Sequence, residues 1–171
     1  MIDLSLPLED GMPVYEGDPK VRISKVCTRE TDGWEVRELA LGSHTGTHVD
    51  APVHMHEGGA TLDEIPLSRF CGPAVVVASG DDAFPERIGL LFDETVPASV
   101  VPKIVTALPL FVGGDLEEET ERALLAQGII TYTDLVNVGQ LKGKQFTFYG
   151  FPLRIKNGDG SPVRAVAILA E

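Results

Sequence analysis

The chain is poor in cysteine, in long apolar runs and in positive charge, and each shortage narrows what it can be. Cys27 and Cys71 are the only two cysteines in 171 residues, and neither stands in a C-x-x-C or other metal-ligand spacing. Two free, mostly buried thiols without a function are expected, as in a reducing compartment. No stretch approaches the ~18–20 apolar residues that span a bilayer. The opening Met1-Ile2-Asp3 lacks the basic and apolar regions of a signal peptide, so a cytoplasmic protein is expected. Lys and Arg total 14 against 26 Asp and Glu, for a net charge of −12. That balance repels nucleic-acid backbones and anionic membrane surfaces, and neither is an expected partner. A small anionic substrate stays compatible with it, because a metal ion or a single cation governs the field inside a pocket.

Apolar residues make up 43% of the chain. A chain of this size buries roughly 70% of the surface it exposes when unfolded, enough for a core without staples. No repeat, low-complexity tract or linker divides it, so residues 1–171 are expected to form one domain. Short apolar runs punctuated by Gly and Pro suit a strand-rich α/β fold with much antiparallel pairing. Strands are expected at 2–4, 21–28, 34–41, 74–79, 88–92, 110–112, 129–133 and 145–149, the second and third joined around Asp32-Gly33. A turn-rich arm runs from Pro7 to Pro19. Residues 98–107 read as helical, with Pro102 counting against it. The clearest helix is 116–127, where Asp115 can cap the free amides, Glu117, Glu118 and Glu119 favour the positive end, and Gly128 can close it. Near the C-terminus, 153–156 and 163–169 flank Asn157-Gly158-Asp159-Gly160, a good hairpin turn sequence.

All four histidines fall in one short stretch, Ser43-His44-Thr45-Gly46-Thr47-His48-Val49-Asp50-Ala51-Pro52-Val53-His54-Met55-His56. Imidazole nitrogens with a carboxylate form a mixed set suited to zinc, manganese or iron(II), and three protein ligands leave positions open for water and substrate. Geometry limits how they converge. On a flat strand His44 and His48 would stand about 13 Å apart at ~3.3 Å per residue. On one helical turn they would be about 6 Å apart, but Asp50 would point away. The segment must therefore bend, and Gly46 is placed to let it. His48 and Asp50 then project from one side of an extended stretch, with His44 folded back over them. His54 reads either as a further ligand or as an acid/base group. Its near-neutral intrinsic pKa favours proton transfer. His56 reads as a surface or supporting residue. No H-E-x-x-H helix, G-x-S-x-G elbow or phosphate-cradling Gly loop is present.

The run from His44 to His54 resembles the signature of the cyclase-like metal hydrolases, the family of bacterial kynurenine formamidase and isatin hydrolase. Met12-Pro13-Val14-Tyr15-Glu16-Gly17-Asp18-Pro19 resembles that family's N-terminal segment. Gly58–Leu67, Gly72–Val76, Phe151–Ile155 and Gly160–Ala167 follow its later runs. The resemblance implies a single domain of swivelling β/β/α type with a mixed, largely antiparallel sheet. It implies a homo-oligomer, dimer or tetramer, that hydrolyses amide or ester bonds of a small-molecule substrate such as an N-formyl amide, cyclic amide or lactone. One divalent metal ion, zinc or manganese, would be held by His44, His48 and Asp50, with His54 as the acid/base group and Tyr15 as a wall of the substrate pocket.

Two departures stand out. Family enzymes commonly carry a histidine on the late helix and, twelve residues on, a glutamate or glutamine. The corresponding positions here are Glu121, a possible additional ligand or an exposed helix residue, and Thr133, a poor substitute for a carboxylate. The chain is also short between Val77 and Asp115. These departures motivate the rival expectation, a non-catalytic, metal-containing small-molecule-binding protein derived from the same family. A third expectation is a structural or oligomerisation domain whose ion is closed off from water.

Overall fold

A central β-sheet with an unbroken apolar middle organises the computed structural model, which describes residues 1–170. Its strands are β1 Ile2–Asp3, β4 His48–Asp50, β5 Cys71–Val77, β6 Gly89–Val96, β7 Val112–Leu116, β8 Thr131–Thr133, β9 Phe146–Tyr149, β10 Gly160–Pro162 and β11 Val166–Leu169. They lie in the order β1-β11-β9-β5-β6-β7-β8-β4-β10. The three pairs within β5-β6-β7-β8 are parallel and the remaining five antiparallel. Leu90, Leu91 and Phe92 are all buried, as the middle of a two-sided sheet requires. Only residues 163–165 separate β10, at one edge of the sheet, from β11, one strand in from the other.

The sheet carries apolar side chains on both faces. Leu90, Phe92 and Val112 pack toward α2 (Val101–Thr106) and α3 (Glu118–Ala126) with Val100, Ile104 and Leu124. Leu91, Tyr132, Phe148 and Phe70 belong to the other cluster. In that cluster the Phe111 and Tyr132 rings lie 4.7 and 4.8 Å from Phe148. This is the swivelling β/β/α architecture with a mixed, largely antiparallel sheet. A separate two-stranded ribbon pairs β2 (Arg22–Cys27) with β3 (Val36–Ala40) through the single-turn α1 (Arg29–Asp32), which Gly33 closes at φ +81°. Among the described residues no helix is long and apolar enough to cross a membrane. Cys27 and Cys71 are free and half-buried.

Several boundaries differ from the sequence reading, each for a tertiary reason. The strand expected at 110–112 instead starts at Val112 and runs through Gly113-Gly114. The glycines are needed there because a Cβ on Gly113 would lie 2.7 Å from both Leu91 and Leu135. Asp115 therefore belongs to β7, accepts a hydrogen bond from the Thr95 hydroxyl and does not cap α3. Pro102 sits in the first turn of α2, where no intrahelical N–H is needed, so it starts the helix instead of breaking it. Around Asn157-Gly158-Asp159-Gly160 the flanking segments meet only in a single antiparallel bridge, Pro152 to Val163, and form no hairpin ladder. Residues 153–156 make no strand, β10 pairs with β4, and β11 pairs with β9. The loop is held instead by the segment after β4. Ala51 donates to the Asp159 carbonyl at 2.8 Å and Leu62 to the Gly158 carbonyl at 2.9 Å.

Candidate metal centre

Strand β4 lies between β8 and β10, and all three of its residues are buried. Val49 enters the apolar cluster, and the period of two turns His48 and Asp50 to the opposite side. Gly46, at φ +59°, occupies the left-handed region that glycine enters without a Cβ penalty. It turns the chain so that His44 returns over the other two. His44 Nδ1 is 2.6 Å from Asp50 Oδ1, and His48 Nε2 is 3.4 Å from the same oxygen. One ligand atom from each of these three residues lies within 4.8 Å of the others.

The outer edge of each ring is also satisfied. His48 Nδ1 donates to the Gly46 carbonyl at 2.6 Å, and His44 Nε2 is 2.9 Å from Asp159 Oδ2. Two inward-facing nitrogens and one carboxylate oxygen are a donor set for a borderline divalent cation, and the residues present fit one.

His54 stands apart from this trio. It ends the 3₁₀ turn Pro52–His54 that follows β4, and its ring centroid lies 3.9 Å from that of His44. Its Nδ1 is 3.9 Å from Asp159 Oδ2, beyond hydrogen-bond reach. Both His54 and Tyr15 line a cleft of about 750 Å³ whose apolar walls include Val14, Met55, Leu116 and Leu135. Glu121 faces the same cleft and is not an exposed helix residue. It accepts from the Thr131 hydroxyl at 2.7 Å, and that hydroxyl is 3.4 Å from Asp50 Oδ2. Thr133 stands opposite His48, with its hydroxyl 2.9 Å from Nε2. His56 points elsewhere, donating to the Arg122 carbonyl at 2.8 Å.

The sequence reading missed Asp159. It treated this residue only as part of a turn, and the one available signal was its place in an Asn-Gly-Asp-Gly run. Gly160, next to it, pairs with Asp50. A Cβ there would lie 2.4 Å from His44 Cε1, so Gly160→Ala is expected to displace the imidazole and weaken metal binding while the far core stays folded. Chelator competition beside a thermal melt measures both.

Charge in the site is strongly coupled. Burial opposes protonation of His44, yet its contacts with Asp50 and Asp159 push its pKa up to about 9. Asp50 also outweighs burial at His48 and raises that group. Burial alone would raise Asp50, but the two imidazoles hold its carboxyl well below the usual range. Burial and then the charge on Asp50 push Glu121 up to about 7, while burial and the neighbouring His44 lower His54.

The folded pKa of His44 exceeds its unfolded value, so its stabilisation is complete below about 6.5 and is lost as pH rises through about 9. Protein stripped by a chelator is expected to lose at most about 3 kcal/mol across that window, counted from His44 alone. Metal affinity should climb over the same range, because an ion must displace the imidazolium proton. Melting curves that stay flat from pH 6.5 to 9 would contradict this.

Against known proteins, the Cyclase family model ("Putative cyclase") matches residues 2–93, just over half of the chain and all four histidines. The chain belongs to the cyclase family. A kynurenine formamidase of Salinibacter ruber is 32% identical over 97% of this chain and 96% of its own length. Isatin hydrolase A of Labrenzia aggregata, solved with benzyl benzoate, superposes with a TM-score of 0.85 at 22% identity, covering 99% of this chain and 93% of that one. A protein of Bacillus stearothermophilus described as a predicted metal-dependent hydrolase gives 0.77 at 23% identity, covering 97% and 96%. In this cyclase-family chain Glu121, Thr133 and Asp159 all lie beyond the matched span, so their arrangement rests on the structure alone.

Proposed function

We propose that the chain is a metal-dependent hydrolase that opens an amide or ester bond of a small molecule, an N-formyl amide, cyclic amide or lactone. The observation that carries the reading is the convergence of His44, His48 and Asp50 at the inner end of a cleft that also holds His54. The name of the Salinibacter ruber relative and the family membership support it. A divalent ion held by this trio would supply a Lewis acid for a carbonyl oxygen and acidify water toward neutral pH.

The chain's own groups do the rest. Asp50 supplies negative charge at the inner end of the cleft, and the hydrogen bond from His48 Nδ1 to Gly46 turns Nε2 toward Asp50 and the Thr133 hydroxyl. His54, lowered in pKa, is neutral at pH 7 and able to take a proton from water and return it to the leaving group. Val14, Tyr15, Met55 and Leu135 give an apolar wall for the body of a small planar substrate. Glu121 stands one hydroxyl away from Asp50, within reach of a role as an additional ligand.

One observation favours a second reading, a metal-containing binding protein without turnover. Thr133 offers His48 a hydroxyl at the position where the resemblance leads one to expect a carboxylate or amide. Metal content of protein purified without added metal or chelator, followed by a screen of N-formyl anilines, cyclic imides and aromatic lactones, separates the readings. Near one equivalent of metal with turnover of any of these is the expected result. One equivalent without turnover across the panel would favour the binding protein, and no metal after reconstitution with zinc and manganese would end both.

A further inference from the structure

The two histidine ligands are held by different means. At His48 the outer partner is a backbone carbonyl two residues back in the chain, the Gly46 oxygen. At His44 it is the side chain of Asp159, 115 positions away in sequence. A carbonyl and a carboxylate can only accept, so the ring nitrogen facing each of them carries the hydrogen. His44 Nδ1 faces a carboxylate as well, Asp50 Oδ1 at 2.6 Å, so without an ion both of its nitrogens carry hydrogen, and an ion held by the trio would replace the one on Nδ1. The two rings are turned opposite ways, His48 with Nε2 toward Asp50 and His44 with Nδ1 toward it.

We propose that Asp159 is a positioning residue of the metal centre, whose carboxylate fixes His44 in the Nε2–H tautomer and presents Nδ1 to the ion. This rests on the metal-centre reading above. Three features lock the carboxylate in place. The Asp159 carbonyl accepts from Ala51 N–H at 2.8 Å, which ties it to the residue after Asp50. Gly160, directly opposite Asp50 in the sheet, leaves bare backbone against the His44 ring. The Ser43 hydroxyl, adjacent to His44 in the chain, donates to the same Oδ2 at 3.3 Å. A carboxylate behind a ligand imidazole also raises the basicity of the inner nitrogen, and such outer partners are typically worth about 10–100-fold in metal affinity.

The same atoms suggest a competing arrangement. His44, His54 and Asp159 also place ligand atoms within 4.8 Å of one another, which would suit a second ion. That ion would replace the hydrogen on His44 Nε2 and leave Nδ1–H donating to Asp50, whereas an ion in the trio would leave Nε2–H donating to Asp159. The tautomer of His44 therefore decides between the two arrangements.

The test uses the zinc-loaded full chain with ¹⁵N-labelled histidine. With only four histidines, long-range ¹H–¹⁵N correlation spectra can be read ring by ring, His44 being identified by the loss of its signals in His44→Gln. The expected result is a protonated Nε2 and a zinc-bound Nδ1 at His44. In parallel, Asp159→Ala is expected to weaken zinc about 10–100-fold in chelator competition. Asp159→Asn should recover most of that, because its amide oxygen still accepts the N–H. Zinc on His44 Nε2, two equivalents of zinc per chain, or wild-type affinity in Asp159→Ala would each overturn the assignment. If Asp159→Ala fails to fold, the wild-type spectrum decides alone. A wild-type chain that binds no zinc would remove the metal-centre reading itself, an outcome distinct from a metal site indifferent to Asp159.

Discussion

His48→Ala is expected to abolish stoichiometric metal binding. Zinc binding by a three- or four-ligand protein site is worth about 10–16 kcal/mol in total, so losing one ligand costs on the order of a thousand-fold in affinity. The loss should be larger than at His44, because His48 is the more deeply buried of the two imidazoles. It is a buried residue of β4, its Nδ1 is tied to Gly46, and Thr133 faces it from β8. Fold damage would be limited, since Val49 and not His48 carries the packing of this strand into the apolar cluster. Elemental analysis of the purified variant beside the wild type provides the measurement, and a melting temperature checks that the sheet is intact. Retention of a full equivalent of metal would mean that the ion sits elsewhere and that the trio is only a hydrogen-bonded cluster.

His54→Ala should give the converse pattern. Metal content is expected to stay near the wild-type value, because His54 lies outside the trio that converges on Asp50. Turnover of a substrate found in the screen should fall about 10²–10⁴-fold, the usual worth of a positioned acid/base group. The fall should appear mainly in kcat, since the group acts on the proton transfer and only lines the edge of the cleft. The pH–rate profile gives a second readout. The rising limb belongs to a group whose pKa lies below that of ordinary histidine, lowered by burial and by His44, and it should vanish in the variant. A loss of metal together with activity would make His54 a ligand instead. Unchanged turnover would remove it from the mechanism.

The division of the histidine run that these two substitutions would test has a local geometric basis. His48 and Asp50 share a face because they are two residues apart on a strand, and His44 joins them because Gly46 bends the chain. His54 is carried past them by the 3₁₀ turn that begins at Pro52. The distances from His44 and His48 to Asp50 express constraints already written into a seven-residue segment.

Other features were not legible, and the failures share a cause. The Asn157–Gly160 run has good hairpin chemistry, but turn chemistry states only that the chain can reverse and not which strand it then joins. Here residue 160 pairs with Asp50, 110 positions earlier, because that strand offers a buried edge and hydrogen bonds from Ala51 and Leu62. Asp115 looked like a cap for α3, but the parallel partner β6 claimed it for the sheet. Glu121 could be read from sequence either as an additional ligand or as an exposed helix residue. Its orientation depends on how α3 lies across the sheet, where Thr131 meets it.

The sequence alone was enough for the convergence of His44, His48 and Asp50, the bend at Gly46 and the family. All of these depend on residue type and spacing over a dozen positions, where backbone geometry leaves few alternatives. Tertiary structure alone decided that Asp159 stands behind His44, that Glu121 faces the cleft and that Thr133 sits on His48. Each of those is a choice of partner between segments tens of residues apart in the chain. Such choices are made by the burial and hydrogen bonding of the whole sheet, which no local pattern encodes.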